Sequence, residues 1–172
     1  AEFRARVLCG LERLQASGAD AALVVVHRGV IRVLGEQLLG RPLADATPGI
    51  VFAVDNWYGP TNIDIDGNKR ASLYEKFRNN LADLIDTLRV VPINMDHAAI
   101  DSLDIADPDM IFIDGDHEYE SVVRDIKFGL SRLGDGGLLC GHDASWPGVR
   151  RALTELVPRA KLINETDIWY RA

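Results

Sequence analysis

The chain has 172 residues, 47% of them hydrophobic and 26% charged, with a formal net charge of −7. That size and balance suit one globular domain spanning residues 1–172. The acidic excess argues against a nucleic-acid partner, and no apolar run is long enough to cross a bilayer. Cys9 and Cys140 lie far apart, which gives neither a disulfide framework nor a zinc-ligand spacing. With no secretory signal peptide, a soluble cytoplasmic protein with reduced thiols is expected.

"EFRARVLCGLERL" places Phe3, Val7, Leu11 and Leu14 at helical spacing. "AALVVV" (21–26) is continuously apolar, as a strand buried on both faces should be. After His27, Arg28 and Gly29 comes "VIRVLGEQLL", a second helix closed by Gly40 and Pro42. "IVFAVD" (50–55) is a buried strand, followed by a polar loop over 56–68. Leu73, Phe77, Leu81, Leu84 and Leu88 form the apolar stripe of one helix. "VVPI" (90–93) is a short strand and "HAAIDSL" a short helix. "DMIFID" (109–114) is a strand and "YESVVRDIKFGLSRL" a helix. "LLCGHD" (138–143) is a strand, and "PGVRRALTELV" a helix opened by Pro147. "AKLI" and "DIWYRA" make a closing antiparallel pair. Strands alternating with helices predict an α/β fold, an open and mostly parallel sheet with helices on both faces.

In such sheets the ligand crevice lies outside the carboxyl ends of the strands. The residues there are His27-Arg28-Gly29, Asp55-Asn56-Trp57, Asn94-Met95-Asp96-His97, Asp114-Gly115-Asp116-His117 and Gly141-His142-Asp143. All four histidines of the chain are among them. A carboxylate at Asp55 can accept both hydroxyls of a ribose. Asp114 and Asp143 end neighbouring strands, so their oxygens could meet on one hard cation such as Mg²⁺. His117, three residues after Asp114 and in the first turn of the next helix, could take a proton near neutral pH. Asp116 is read as a cap for that helix. The alternative is that these polar residues only mark where strands stop and helices are capped.

"VFAVDNW" and "DMIFIDGDHEYESVVRDIKFGLSRLGDGGLLCGHDASWPGVRRAL" resemble a class I S-adenosylmethionine-dependent methyltransferase of the small-molecule O-methyltransferase branch. The resemblance runs from about Ile50 to the C-terminus. It implies a three-layer Rossmann-like methyltransferase sandwich with an antiparallel C-terminal strand pair. It also implies that Asp55, with Asn56 and Trp57 beside it, holds the cofactor ribose. Asp96 and His97 would lie by the adenine, and Asp114 under the sulfonium end. Asp114 and Asp143 would ligate Mg²⁺, with His142 where some relatives carry an acidic ligand. His117 would be the general base.

The family's first strand should lead into a glycine-rich turn against the methionine part of the cofactor. The equivalent here, "VVVHRGVIRVL", offers one glycine, Gly29. Residues 1–48 themselves resemble the C-terminal part of a histidine phosphatase of the phosphoglycerate mutase kind, with His27 as its phosphoryl-contacting histidine. That family's nucleophilic Arg-His-Gly is absent from this sequence, so phosphatase activity is not expected. A hybrid chain is one explanation, and convergence of strand–loop–helix patterns is the other. The leading functional reading is Mg²⁺-assisted O-methylation of a small hydroxylated substrate. The alternative is a methyltransferase fold that has lost cofactor binding and catalysis. A homodimer could supply a missing wall of the site, which the sequence leaves open.

Overall fold

The computed structural model describes residues 21–25, 50–57, 67–88, 90–105, 108, 110–163 and 166–171. Seven strands form one sheet: β1 (Ala21–Val25), β2 (Ile50–Asp55), β3 (Val90–Asn94), β4 (Met110–Ile113), β5 (Leu138–Gly141), β6 (Lys161–Leu162) and β7 (Trp169–Arg171). Their order is β3-β2-β1-β4-β5-β7-β6. β1 to β5 pair in parallel, and β7 runs antiparallel to both β5 and β6. The expected mostly parallel sheet and its antiparallel close are both present. The strand order reverses between β1 and β4, which puts the crevice of the fold there.

The strands read as apolar runs because both sheet faces are covered. Alternate residues of β4 and β5 go to opposite sides. Ile111, Ile113 and Leu139 join one buried cluster, while Met110, Phe112 and Cys140 join another. Ile111 and Leu139 are fully buried, each contributing about 1.5–3 kcal/mol of transfer free energy.

Four α-helices are described: α1 (Gly67–Asn80), α2 (Ala82–Asp86), α3 (Tyr119–Arg132) and α4 (Pro147–Leu156). Val122 and Ile126 of α3 are one turn apart and face the first cluster with Val149, Ala152 and Leu153 of α4. At Gly129 a Cβ would come within 2.7 Å of Leu139, so the missing side chain lets α3 lie close on the sheet. The short helix after β3 is a 3₁₀ helix, His97–Ser102.

The single helix read from the Leu73–Leu88 stripe is two. The Leu81 N–H is shared between the carbonyls of Phe77 and Arg78 at 3.2 and 3.3 Å, and Leu81 precedes α2 with a non-helical φ of −122°. Phe77, Leu81 and Leu84 are buried as expected, but Leu88 lies beyond the end of α2 at φ +56° and is 70% exposed. The two helices read before Ile50 lie outside the described residues. Among the described residues no helix is long and apolar enough to cross a membrane.

Candidate active site

The described rim residues fall into two groups, at the ends of β2–β3 and of β4–β5, with β1 between them in the sheet. In the first group Oδ1 of Asp55 accepts a hydrogen bond from the backbone N–H of Trp57 at 2.8 Å. Trp57 adopts φ +54°, a costly conformation for a bulky residue. Its ring turns inward and packs on Tyr74 and Phe77, with centroids 4.6 and 5.1 Å away. Burial of the indole thus holds the strained turn, and it is the backbone of Trp57, not its ring, that bonds the Asp55 carboxylate. Asn56 Nδ2 donates to Asp96 Oδ2 at 3.3 Å and bridges β2 to β3. The other Asp96 oxygen caps the 3₁₀ helix, accepting from Ala98 N–H at 2.8 Å. His27, Arg28 and Gly29 lie outside the described residues, as does the side chain of His97.

The second group is denser. Asp114 follows β4 and is buried. Asp116 accepts from Glu118 N–H at 3.3 Å and from the Ser121 hydroxyl at 3.1 Å, and so serves the helix start. His117 precedes α3 instead of lying in its first turn, because the Asp116 turn delays the helix to Tyr119. Its Nε2 sits 2.6 Å from Asp143 Oδ2. Its ring stacks on Trp146, with centroids 4.5 Å apart and planes 20° from parallel. The start of α4 docks on this turn through Gly148, where a Cβ would fall 2.2 Å from the His117 carbonyl oxygen.

From β5, the His142 N–H donates to the Ile113 carbonyl at 3.0 Å and ties the two strand ends together. His142 Nδ1 lies 3.0 Å from Asp143 Oδ1 and 4.0 Å from Asp114 Oδ1. Asp143 adopts φ +58°, a left-handed conformation that aspartate tolerates better than most residues. Its two oxygens therefore address two imidazoles. Burial pushes the Asp143 carboxyl up, but hydrogen bonds from His142 and His117 outweigh burial and hold it below the usual range. The hydrogen bond to Asp143 raises His142 above its ordinary value, against the opposing effect of burial.

In the tautomer that carries its proton on Nε2, toward Asp143, the His117 ring presents Nδ1 as an acceptor. One donor atom each from Asp114, His142 and Asp143 lies within 4.8 Å of the others, close enough to share a cation. Sequence reasoning missed two residues. Trp146 fixes the plane of the His117 ring while staying 49% exposed; an aromatic just before the Pro-Gly that opens a helix was the available signal. Asp125 lies under the site on α3, 2% exposed. Its Oδ2 would be 3.4 Å from a Cβ on Gly115, and neither of its oxygens has a hydrogen-bond partner among the described residues. Its sequence signal was an acid beside Ile126 on the apolar stripe of the helix.

The fold has many counterparts among solved structures. CalS11, a TDP-rhamnose 3'-O-methyltransferase of calicheamicin biosynthesis, aligns with a TM-score of 0.66 at 14% identity, over 96% of this chain and 77% of its own. The O-methyltransferase NovP aligns at 0.65 and 18% identity, over 98% and 76%. The methyltransferase PaMTH1 of Podospora anserina, solved with S-adenosylhomocysteine, aligns at 0.60 and 12% identity, over 91% and 72%. At these identities the likeness is one of fold. No curated protein sequence matches the chain. The family model described as a methyltransferase domain matches residues 33–144, about two thirds of the chain, and reaches upstream of Ile50 into the stretch that resembled a phosphatase. The chain belongs to the methyltransferase domain family.

Proposed function

We propose that this chain transfers a methyl group from S-adenosylmethionine to a hydroxyl of a small molecule. The observation that carries the reading is the fixed imidazole of His117 at the crevice, held by Asp143 at 2.6 Å and stacked on Trp146. The O-methyltransferases among the similar structures and the neighbour solved with S-adenosylhomocysteine support an oxygen acceptor and this cofactor. Bound S-adenosylmethionine supplies an electrophilic methyl on a sulfonium. Asp55 would hold its ribose, with Asn56 and the Trp57 backbone beside it; Asp96 and His97 would lie at the adenine, and Gly29 at the methionine end. His117 Nδ1 takes the proton of the acceptor hydroxyl, and Asp143 stabilises the imidazolium so formed.

Asp114, His142 and Asp143 would hold a divalent cation, whose charge would support the developing alkoxide. The resemblance points to Mg²⁺; the two carboxylates suit that ion, and the imidazole departs from its oxygen preference. The fold would act as one domain, and a homodimer would wall the acceptor side.

A second reading, a methyltransferase fold without cofactor binding, is favoured by one feature of the sequence: Gly29 is the lone glycine in "VVVHRGVIRVL". Transfer of labelled methyl from S-adenosylmethionine to a panel of small phenols, catechols and sugars tests the first reading. Turnover that falls about 10²–10⁴-fold in His117→Ala is expected. Turnover unchanged in that variant would remove His117 from the chemistry.

A further inference from the structure

We infer that the Asp114–His142–Asp143 site selects a borderline first-row divalent ion such as Co²⁺ or Zn²⁺ over Mg²⁺, with His142 setting the preference. This rests on the reading of the three residues as a cation site. It concerns which ion they select.

The imidazole is central to the donor set. His142 Nδ1 is 3.0 Å from Asp143 Oδ1 and 4.0 Å from Asp114 Oδ1. Two donors each about 2.1 Å from one ion lie about 3.0 Å apart at a right angle and about 4.2 Å apart when opposed. Both observed spacings fall in that range, so Nδ1 can join the shell with little movement once the proton it shares with Asp143 passes to Nε2 or to solvent. The backbone restrains it as well, because the His142 N–H is tied to Ile113 at 3.0 Å.

Asp143 is restricted from the other side. Its Oδ2 is engaged by His117 at 2.6 Å, which leaves Oδ1 to face the ion. Outer contacts of this kind fix the orientation of a ligand. The set thus presents two carboxylate oxygens, one from each aspartate, and one nitrogen. Mg²⁺ demands oxygen donors and dehydrates reluctantly, and Ca²⁺ wants six to eight oxygens. An imidazole nitrogen suits zinc and its first-row neighbours.

The test is calorimetric titration of the full chain, stripped by a chelator, with Mg²⁺ and with Co²⁺. Wild type is compared with His142→Asp and His142→Gln. Co²⁺ outbinds Mg²⁺ at most mixed sites, so the decisive quantity is the change in the Mg²⁺/Co²⁺ Kd ratio. That ratio is expected to fall about tenfold or more in both variants. The visible absorption of bound Co²⁺ in wild type should also change in them. A ratio unaltered by either substitution, or Mg²⁺ binding as tightly as Co²⁺ in wild type, overturns the inference. S-adenosylhomocysteine is titrated into the same preparations. A chain that binds it but neither metal refutes the cation site alone. A chain that binds neither ligand nor metal refutes the cation site and the methyltransferase reading together.

Discussion

Asp125→Asn should stabilise the protein at alkaline pH and do little at acid pH. Asp125 is 2% exposed and neither oxygen has a hydrogen-bond partner among the described residues. Burial is the main cause that raises its carboxyl to about 7; Arg124 opposes this, and Asp116 and Asp101 add to it. In the unfolded chain the group titrates near 3.9. Below about pH 4 it is protonated in both states and burial carries no ionisation cost. From there to about pH 7 the unfolded chain releases the proton that the fold retains, so stability falls as pH rises. Above the folded value the cost is constant. A gap of about three pH units corresponds to about 4 kcal/mol.

Asparagine cannot ionise, although its buried amide keeps a desolvation cost of about 1–3 kcal/mol. A neutral carboxyl bears a similar cost, so the two should match at low pH. The assay is urea unfolding of both proteins at about pH 4.5 and about pH 8.5, with equal m-values as the check on two-state behaviour. A variant more stable by about 2–4 kcal/mol at the higher pH, and within about 1 kcal/mol at the lower, is expected. A difference that does not change with pH would refute the reasoning. It would show that the ionised carboxylate is satisfied in the fold.

Two further predictions concern the turn between β4 and α3. Gly148→Ala puts a Cβ 2.2 Å from the His117 carbonyl oxygen and 2.9 Å from the Tyr119 nitrogen. α4 must then move off the turn, lowering stability by about 1–3 kcal/mol in thermal unfolding; an unchanged Tm would mean that α4 does not dock as closely as the structure places it. Trp146→Ala frees the His117 ring while leaving the Asp143 bond, so kcat should fall about tenfold or more. Trp146→Phe should restore most of it, and equal kcat values in the two variants would show that the stack does not position the base.

The sheet was legible because its strands are covered on both faces. Runs such as "IVFAVD" and "MIFI" cannot lie comfortably anywhere else. The rim was legible because polar residues follow directly on those runs, and the parallel sheet brings their ends to one side. Side-chain direction was not legible. Trp57 stands beside Asp55 in sequence, yet its ring belongs with Tyr74 and Phe77, because a positive φ turns it inward. The stripe through Leu73 and Leu88 keeps helical spacing across a break, since periodicity registers faces and does not register a shared N–H at Leu81. The pairing of His117 with Asp143 spans 26 residues and follows from β4 and β5 lying side by side, which local pattern alone does not give.

The central claim is a working cofactor site on this fold. Calorimetric titration of the full chain with S-adenosylhomocysteine tests it most directly, in wild type and in Asp55→Ala. The account predicts a Kd of about micromolar order, weakened about tenfold or more when the ribose-facing carboxylate is removed. No heat of binding at about millimolar ligand, or equal binding by both proteins, would contradict it.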